Sequence, residues 1–273
     1  MPVYQALVLA IIQSLTEFLP ISSTAHLTLT PWLLGWQDPG LDFDIALHLG
    51  TLAGLVIYFF RDWLEILAAA FGKRSDQDSP SAHPRRLLWL LVLATLPAVA
   101  AGLLFDHQAE TTWRHPCVIA TMLMTIAGFM YWADRRGALQ RGLGDIGLAD
   151  ALWIGGAQAV AIIPGTSRSG ITISTALWRG LDRPTAARFS FLLSTPVLAG
   201  AALKAAWDLQ RQGGLTPEMQ WPFLVGVLVS ALTGWLVIAF FLRFLRTHTL
   251  RFFVYYRLVF GIIVVARAVF LRH

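Results

Sequence analysis

Charge and cysteine are what this chain has least of. Only 14% of its 273 residues are charged, against roughly 25% in an average soluble domain. Cys117 is the one cysteine, so an intrachain disulfide and a cysteine metal cluster are both excluded. No Lys or Arg precedes Arg61, and Glu17 interrupts the first apolar stretch, so a cleaved signal peptide is not expected. A G-x-x-x-x-G-K-[ST] phosphate loop and an H-E-x-x-H zinc motif are absent too.

What fills the chain is apolar: 56% of residues are hydrophobic and the mean hydropathy is +0.61. Long apolar runs fall at about 43–60, 87–105, 117–133, 189–206, 223–242 and 252–270, each near the ~20 residues that cross a bilayer as a helix. A soluble enzyme, a nucleic-acid module and a disordered tail are thereby excluded. The formal charge of +5 reads as basic loops on the cytoplasmic side of a membrane, with no nucleic-acid partner.

Two further stretches, about 3–34 and 150–178, are apolar but broken. Gln13, Glu17, Pro20, Ser22, Ser23, Thr24 and His26 break the first; Gln158, Pro164, Gly165, Thr166, Ser167, Arg168 and Ser169 break the second. Irregular polar backbone at membrane depth survives only inside protein or beside a water-filled cavity, so both read as re-entrant helical hairpins.

The halves also repeat. Phe43-x3-Leu47-x4-Leu52-Ala53-Gly54 matches Phe189-x3-Leu193-x4-Leu198-Ala199-Gly200, and Gln13 followed by Pro20-Ile-Ser22-Ser23 matches Gln158 followed by Pro164-Gly-Thr166-Ser167. One hairpin and three spans per half invert the second half relative to the first. The expected fold is an all-α polytopic membrane protein, a single integral domain over 1–273. It is an inverted-topology repeat (about 1–133 and 150–273) with six transmembrane helices plus two re-entrant hairpins.

Alternate crossings place Arg61, Lys73, Arg74, Arg85, Arg86, Arg135, Arg136, Arg141, Arg179, Arg183, Arg188, Arg243, Arg246 and Arg251 on one side. Arg114, Lys204, Arg211 and Arg272 fall on the other. The positive-inside rule puts the first side in the cytoplasm, with both termini outside, hairpin one coming from outside and hairpin two from the cytoplasm.

An ionisable group at membrane depth is a functional hypothesis by default. Glu17 is the one carboxylate deep in an apolar stretch; Arg168 and Arg257 are its basic counterparts, and Arg267 lies near an edge. Glu17 and Arg168 sit on the two repeat-related hairpins, which in such folds meet near the midplane. Gln13 and Glu17, four apart, share a helix face, as do Ser23 and His26, three apart. Each break opens a helix N-terminus, where free N–H groups and the dipole favour an anion. Arg168 adds a bidentate phosphate partner, and a divalent cation fits between Glu17 and phosphate oxygens. A structural Glu17–Arg168 ion pair, hydroxyls bonded to their own helices and a packed His26 are the plainer readings. Arg257 is taken as structural, snorkelling to the cytoplasmic interface; Asp44 and His48 are taken as supporting positions.

Gln13-Ser-Leu-Thr-Glu17-Phe-Leu-Pro20-Ile-Ser22-Ser23-Thr24-Ala-His26, together with Pro164-Gly-Thr-Ser167-Arg168-Ser169-Gly170-Ile-Thr172, resembles the undecaprenyl-diphosphatase family, also called bacitracin resistance protein. The resemblance covers essentially the whole chain. It implies a multi-pass enzyme of the bacterial inner membrane, dependent on Mg²⁺ or Ca²⁺, with a site opening to the periplasm. The implied reaction hydrolyses the polyprenyl lipid undecaprenyl diphosphate to undecaprenyl phosphate and inorganic phosphate. This recycles the lipid carrier of cell-wall synthesis and confers bacitracin resistance. The first acidic position of the family motif is here Gln13, which can coordinate a hard cation but cannot act as a base.

On this reading Glu17, Ser23, His26 and Arg168 are catalytic, and Ser22, Thr24, Ser167, Ser169 and Thr172 bind substrate. Gln13 and Glu17 hold the metal. Ser23 attacks the terminal phosphorus with His26 in proton transfer; the alternative is attack by a metal-bound water with Ser23 only a ligand. A polyprenyl-phosphate flippase or anion transporter would share the architecture. The sequence does not set the oligomeric state, a homodimer being one arrangement open to it.

Overall fold

The computed structural model of the chain describes residues 1–37, 40–71, 84–136, 139–211 and 213–270. Lys73, Arg74 and Arg272, three of the charges placed above, lie outside them. Among the described residues eleven α-helices follow one another: α1 (Val3–Phe18), α2 (Ser23–Leu34), α3 (Leu41–Tyr58), α4 (Phe60–Ala70), α5 (Pro84–Glu110), α6 (Pro116–Asp134), α7 (Leu148–Val160), α8 (Arg168–Trp178), α9 (Arg183–Arg211), α10 (Pro217–Phe244) and α11 (Arg251–Phe270). Among the described residues there is no strand, only an isolated bridge between Arg141 and Leu181. In hydrocarbon a helix satisfies its own backbone groups, which an open strand cannot do. The exposed surface is rich in large apolar side chains: Leu103 is 83% exposed and Leu203 73%, which suits lipid rather than water.

By length and composition α5, α6, α9 and α10 are fit to cross a membrane, and a fifth crossing results if α3 and α4 form one span. The first full apolar run, about 43–60, is α3; at its end the chain turns by 69° into α4, and the last run is α11, which carries Arg251, Arg257 and Arg267 within 20 residues.

The ends of the bundle are tied by ion pairs. Asp134, closing α6, accepts from Arg183 Nε at the start of α9 (2.6 Å) and from the Leu250 N–H just before α11 (3.0 Å). Arg188 pairs with Asp62 at the same end, where the arginines gather, while Lys204 pairs with Asp106 at the other.

Both arms of α7–α8 return to the basic end. Asp150, in the first turn of α7, pairs with Arg141 (2.6 Å) and with Arg179 just beyond α8 (2.7 Å). Hairpin α1–α2 opens at the opposite end. There Tyr4 meets Trp36 edge-on at 5.9 Å, and Phe43, Met219 and Phe223 from the starts of α3 and α10 pack around the same corner.

Each hairpin's first arm lies along a long helix from the other half of the chain, α1 on α10 and α7 on α5. A close seam joins α3 to α10. Gly50 and Gly54 make it so: a Cβ on Gly50 would stand 2.5 Å from Val227 O, and one on Gly54 2.4 Å from Ala231 O. Small residues four apart let membrane helices touch along their backbones. At the centre Phe18, the last residue of α1, sets its ring edge-on against Phe191 of α9 at 5.6 Å. Both rings are buried, so the broken end of α1, with Glu17 on it, is pinned to the body of the second half.

Candidate active site

The two breaks are built alike. Helix α1 stops at Phe18; Pro20, which cannot donate a backbone hydrogen bond, follows; Ser22 adopts φ 79°, ψ 98°; and α2 begins at Ser23. Helix α7 stops at Val160; Gly165 takes φ 90°, where a Cβ would stand 2.4 Å from Ile119 O. Ser167 then adopts φ 68°, ψ 110°, and α8 begins at Arg168. Ser22 and Ser167 are the two non-glycine residues with positive φ among the described residues. Backbone strain of this kind costs on the order of 1–3 kcal/mol each and persists where the surroundings over-determine it.

The breaks meet. Arg168 Nη2 donates to Glu17 Oε1 at 2.6 Å, Ser23 Oγ donates to Glu17 Oε2 at 2.6 Å, and Gln13 Nε2 donates to Glu17 Oε2 at 3.3 Å. Arg168 Nη1 reaches the Ser194 carbonyl at 3.2 Å, leaving most of its five N–H donors for a ligand. A polar cavity of about 130 Å³ lies between the breaks, lined among others by Glu17, Ser22, Ser23, Thr24, His48, Ser167 and Arg168. Both helix N-termini therefore border it, and the first N–H groups of a helix have no intrahelical acceptor.

Of the residues singled out above, Glu17, Ser22, Ser23, Thr24, Ser167 and Arg168 line the cavity. Gln13 lies one turn behind Glu17, fully buried, and its Oε1 has no hydrogen-bond partner. Ser169, Thr172 and His26 do not line the cavity and are engaged with protein. Ser169 Oγ donates to the backbone of the first break, at Glu17 O (3.3 Å) and Leu19 O (3.2 Å). Thr172 Oγ1 bonds Arg168 O (2.7 Å) and Ser190 Oγ (2.6 Å). His26 Nδ1 lies 2.7 Å from Ser22 O and Nε2 2.6 Å from Tyr256 Oη, with the ring stacked 4.4 Å from that of Phe260. With Nδ1–H donating to the carbonyl, Nε2 accepts from the tyrosine, and both nitrogens are occupied.

Two residues hold places that their sequence reading did not give them. His48 lines the cavity from α3, its Nδ1–H donating to Asp44 O at 2.8 Å; its Nε2 makes no hydrogen bond among the described residues. It occupies the position on α3 that Ser194, the acceptor of Arg168, holds on α9 in the 146-residue register of Phe43 and Phe189. Arg257 does not snorkel: it is fully buried. Its guanidinium donates to Pro20 O of the first break (3.2 Å), to Gly165 O (2.9 Å) and Thr166 O (3.0 Å) of the second, and to Leu123 O (3.1 Å) of α6.

Fold and site together define a polytopic membrane protein with a hydroxyl, a carboxylate and a guanidinium gathered in one buried cavity between two helical hairpins. The chain belongs to the family described as bacitracin resistance protein BacA, which it matches over residues 6–263. It is 48% identical over 269 residues to the undecaprenyl-diphosphatase of Pelotomaculum thermopropionicum, covering 98% of this chain and 97% of that one. It is 46% identical over 266 residues to that of Moorella thermoacetica, covering 97% and 98%. To that of Thermomicrobium roseum it is 43% identical, with each chain covered in full.

Proposed function

We propose that the chain hydrolyses undecaprenyl diphosphate to undecaprenyl phosphate and inorganic phosphate at this cavity, recycling the lipid carrier of cell-wall synthesis and so conferring bacitracin resistance. The observation that carries the reading is Ser23 Oγ donating at 2.6 Å to a carboxylate that Arg168 holds at 2.6 Å. A hydroxyl paired with a base beside an anion-binding guanidinium is the arrangement of an activated nucleophile. A carrier of polyprenyl phosphate has no use for that pairing, and relatives named for the hydrolysis span the chain.

In the mechanism that follows, Arg168 and the N-termini of α2 and α8 hold the diphosphate. Ser23 Oγ attacks the terminal phosphorus while its proton passes to Glu17. The bond from phosphorus to the bridging oxygen breaks with its electrons on the departing undecaprenyl phosphate. Water then attacks the phosphoserine, His48 Nε2 takes a proton from that water, and the serine oxygen recovers its proton from Glu17. Attack by water on the diphosphate itself, with Ser23 as ligand, is the competing path.

Gln13 and Glu17 suit a divalent cation: a hard cation takes oxygen ligands, and Gln13 Oε1 is a buried oxygen without a partner. Among the described residues no cluster of three or more His, Cys, Asp or Glu could hold the ion alone. That fits the shared mode in which one or two side chains and the substrate's phosphates bind it. When bound, Mg²⁺ or Ca²⁺ would offset the charge that builds on the phosphate oxygens.

The reading includes a multi-pass protein of the bacterial inner membrane with its cavity towards the periplasm. Support comes from the concentration of arginines at the opposite end of the bundle, and from the cavity's walls on hairpin α1–α2 and α3, which start at the arginine-poor end.

The test is phosphate release by the purified protein from undecaprenyl diphosphate. Release should require Mg²⁺ or Ca²⁺ and stop with EDTA, and quenching with terminally labelled substrate should leave label on Ser23. A folded, metal-supplied protein that releases no phosphate would overturn the reading. Label-free turnover by Ser23→Ala would instead select the water path.

The two histidines separate in the same assay. His48→Ala is expected to lower kcat by about 10²-fold, the low end for a positioned proton-transfer group, with Tm unchanged. His26→Ala should lower Tm, through loss of its stacking and of the Tyr256 bond, more than it lowers kcat.

A further inference from the structure

On the other side of hairpin α7–α8 from the polar cavity, α6, α7 and α8 enclose an apolar groove of about 870 Å³. Its walls include Trp132 of α6, Trp153 and Val160 of α7, and Ile171 and Trp178 of α8, with Trp153 and Trp178 edge-on at 5.2 Å. Val160 and Ile171 close its inner end beside the second break. The outer end lies at the arginine-rich end of the bundle, and its chemistry differs from that of a bare lipid-facing surface. The Arg136 guanidinium carbon stands 5.0 Å from the ring centroid of Trp132 and 5.7 Å from that of Trp178, within cation–π reach of both walls.

Of the neighbouring cations, Arg135 is turned onto the Tyr131 ring and hydroxyl, away from the groove walls, and the others are paired. Arg141 and Arg179 share Asp150, and Arg183 holds Asp134. Arg136 is exposed and has no carboxylate partner among the described residues. An uncompensated guanidinium fixed to the aromatic mouth of an apolar groove, at the level where basic pockets meet lipid headgroups, matches a molecule with a phosphate at one end and a hydrocarbon chain at the other.

We propose that this groove binds an anionic glycerophospholipid from the leaflet at the arginine-rich end, its phosphate on Arg136 and an acyl chain laid along Trp153 towards Val160. The substrate's own diphosphate is not the occupant of the mouth. Helix α8 runs 11 residues from Arg168 to Trp178, about 16 Å at 1.5 Å per residue, so a head group on Arg136 stands a helix length from Ser23. Hydrocarbon in the groove braces α7 and α8 against α6 and thereby steadies the break that presents Ser167 and Arg168.

Native mass spectrometry of the detergent-purified full chain, supplied in turn with phosphatidylglycerol, phosphatidylcholine and undecaprenyl phosphate, tests this directly and without reference to turnover. Phosphatidylglycerol should be retained at least tenfold over phosphatidylcholine. Arg136→Gln should abolish that preference, Arg136→Lys should keep part of it, and Trp153→Ala should weaken retention of both phospholipids; Tm is measured alongside to show that each variant is folded. Equal retention of the two phospholipids by the wild type, or an undiminished preference in folded Arg136→Gln, would overturn the proposal. So would displacement of phosphatidylglycerol by one equivalent of undecaprenyl phosphate, which would make the groove the seat of the substrate's own tail.

Discussion

Glu17→Gln is expected to slow phosphate release by about 10³-fold, within the range for loss of a proton-transfer group, while the protein stays folded and still binds phosphate. The carboxylate has three partners: Arg168 and Ser23, each at 2.6 Å, and Gln13 at 3.3 Å. An amide of the same shape can still accept from Arg168 through its oxygen, so packing at the break is kept. It cannot take the serine proton, and it removes the negative charge facing the guanidinium. The two losses act on different kinetic constants. Proton transfer fails, so kcat falls; with Mg²⁺ raised to saturate a site that has lost its carboxylate ligand, Arg168 is relieved of its counter-charge, so the product phosphate binds more tightly and KM stays level or drops. A pattern of low kcat without raised KM marks an interaction made in the transition state. Single-turnover phosphate release and phosphate affinity, measured on the same preparation, check it. A rate within tenfold of wild type, or a KM that rises with kcat unchanged, would assign Glu17 to binding and would sink its role as base.

How far this site was legible in the sequence depends on the kind of signal. Hydropathy marked the helices because an apolar run of span length has few other uses. Glu17 and Arg168 stood out because ionised groups are rare at membrane depth, and their positions on matching breaks brought them together before any coordinates did. The turn at Phe59 falls where the apolar run ends before Arg61, but helix α4 beyond it was not read, because Arg61, Asp62 and Glu65 break the apolar pattern. Neither could the positive φ of Ser22 and Ser167 be read, since serine, unlike glycine, carries no conformational signature for that region. The two histidines show the limit most plainly. His26 lies in the family motif, yet Tyr256 and Phe260, some 230 residues further on, occupy its ring. His48 lies outside the motif and lines the cavity. Which of the two reaches the cavity is decided by tertiary neighbours, not by local spacing. The same holds for Arg257, for which snorkelling was a sound expectation from position alone.

Arg257→Met should be the most damaging single change in the chain: we expect a folded yield too low to assay at ordinary temperature, or a Tm well below wild type with little turnover. The physical reason is the acceptor set. The wild-type guanidinium donates to Pro20 O, Gly165 O, Thr166 O, Leu123 O and Met122 O, so one side chain joins both breaks to α6. A thioether of similar length donates to none of them. Met122 O and Leu123 O keep their donors inside α6, but each of the buried break carbonyls, Pro20 O, Gly165 O and Thr166 O, left without its donor costs about 1–3 kcal/mol, against a total stability that for most domains is only about 5–15 kcal/mol. The loss falls on the carbonyls beside Ser22 and Ser167, the two residues whose strained φ the surroundings must hold. Arg257→Lys tells a positioning role from mere bulk. Its ammonium keeps the charge but has three donors on one atom where the guanidinium spreads five over a planar fork, so it cannot span both breaks at once. We therefore expect it to fold with a modest fall in Tm, a kcat reduced by tenfold or more and a KM that rises, because the helix N-termini no longer converge on one phosphate. Hydrogen exchange at the amides of residues 19–24 and 162–169 should quicken in the same variant while the long helices stay protected. Unchanged exchange at both breaks with wild-type kinetics in Arg257→Lys would show that the buried guanidinium fills space and nothing more.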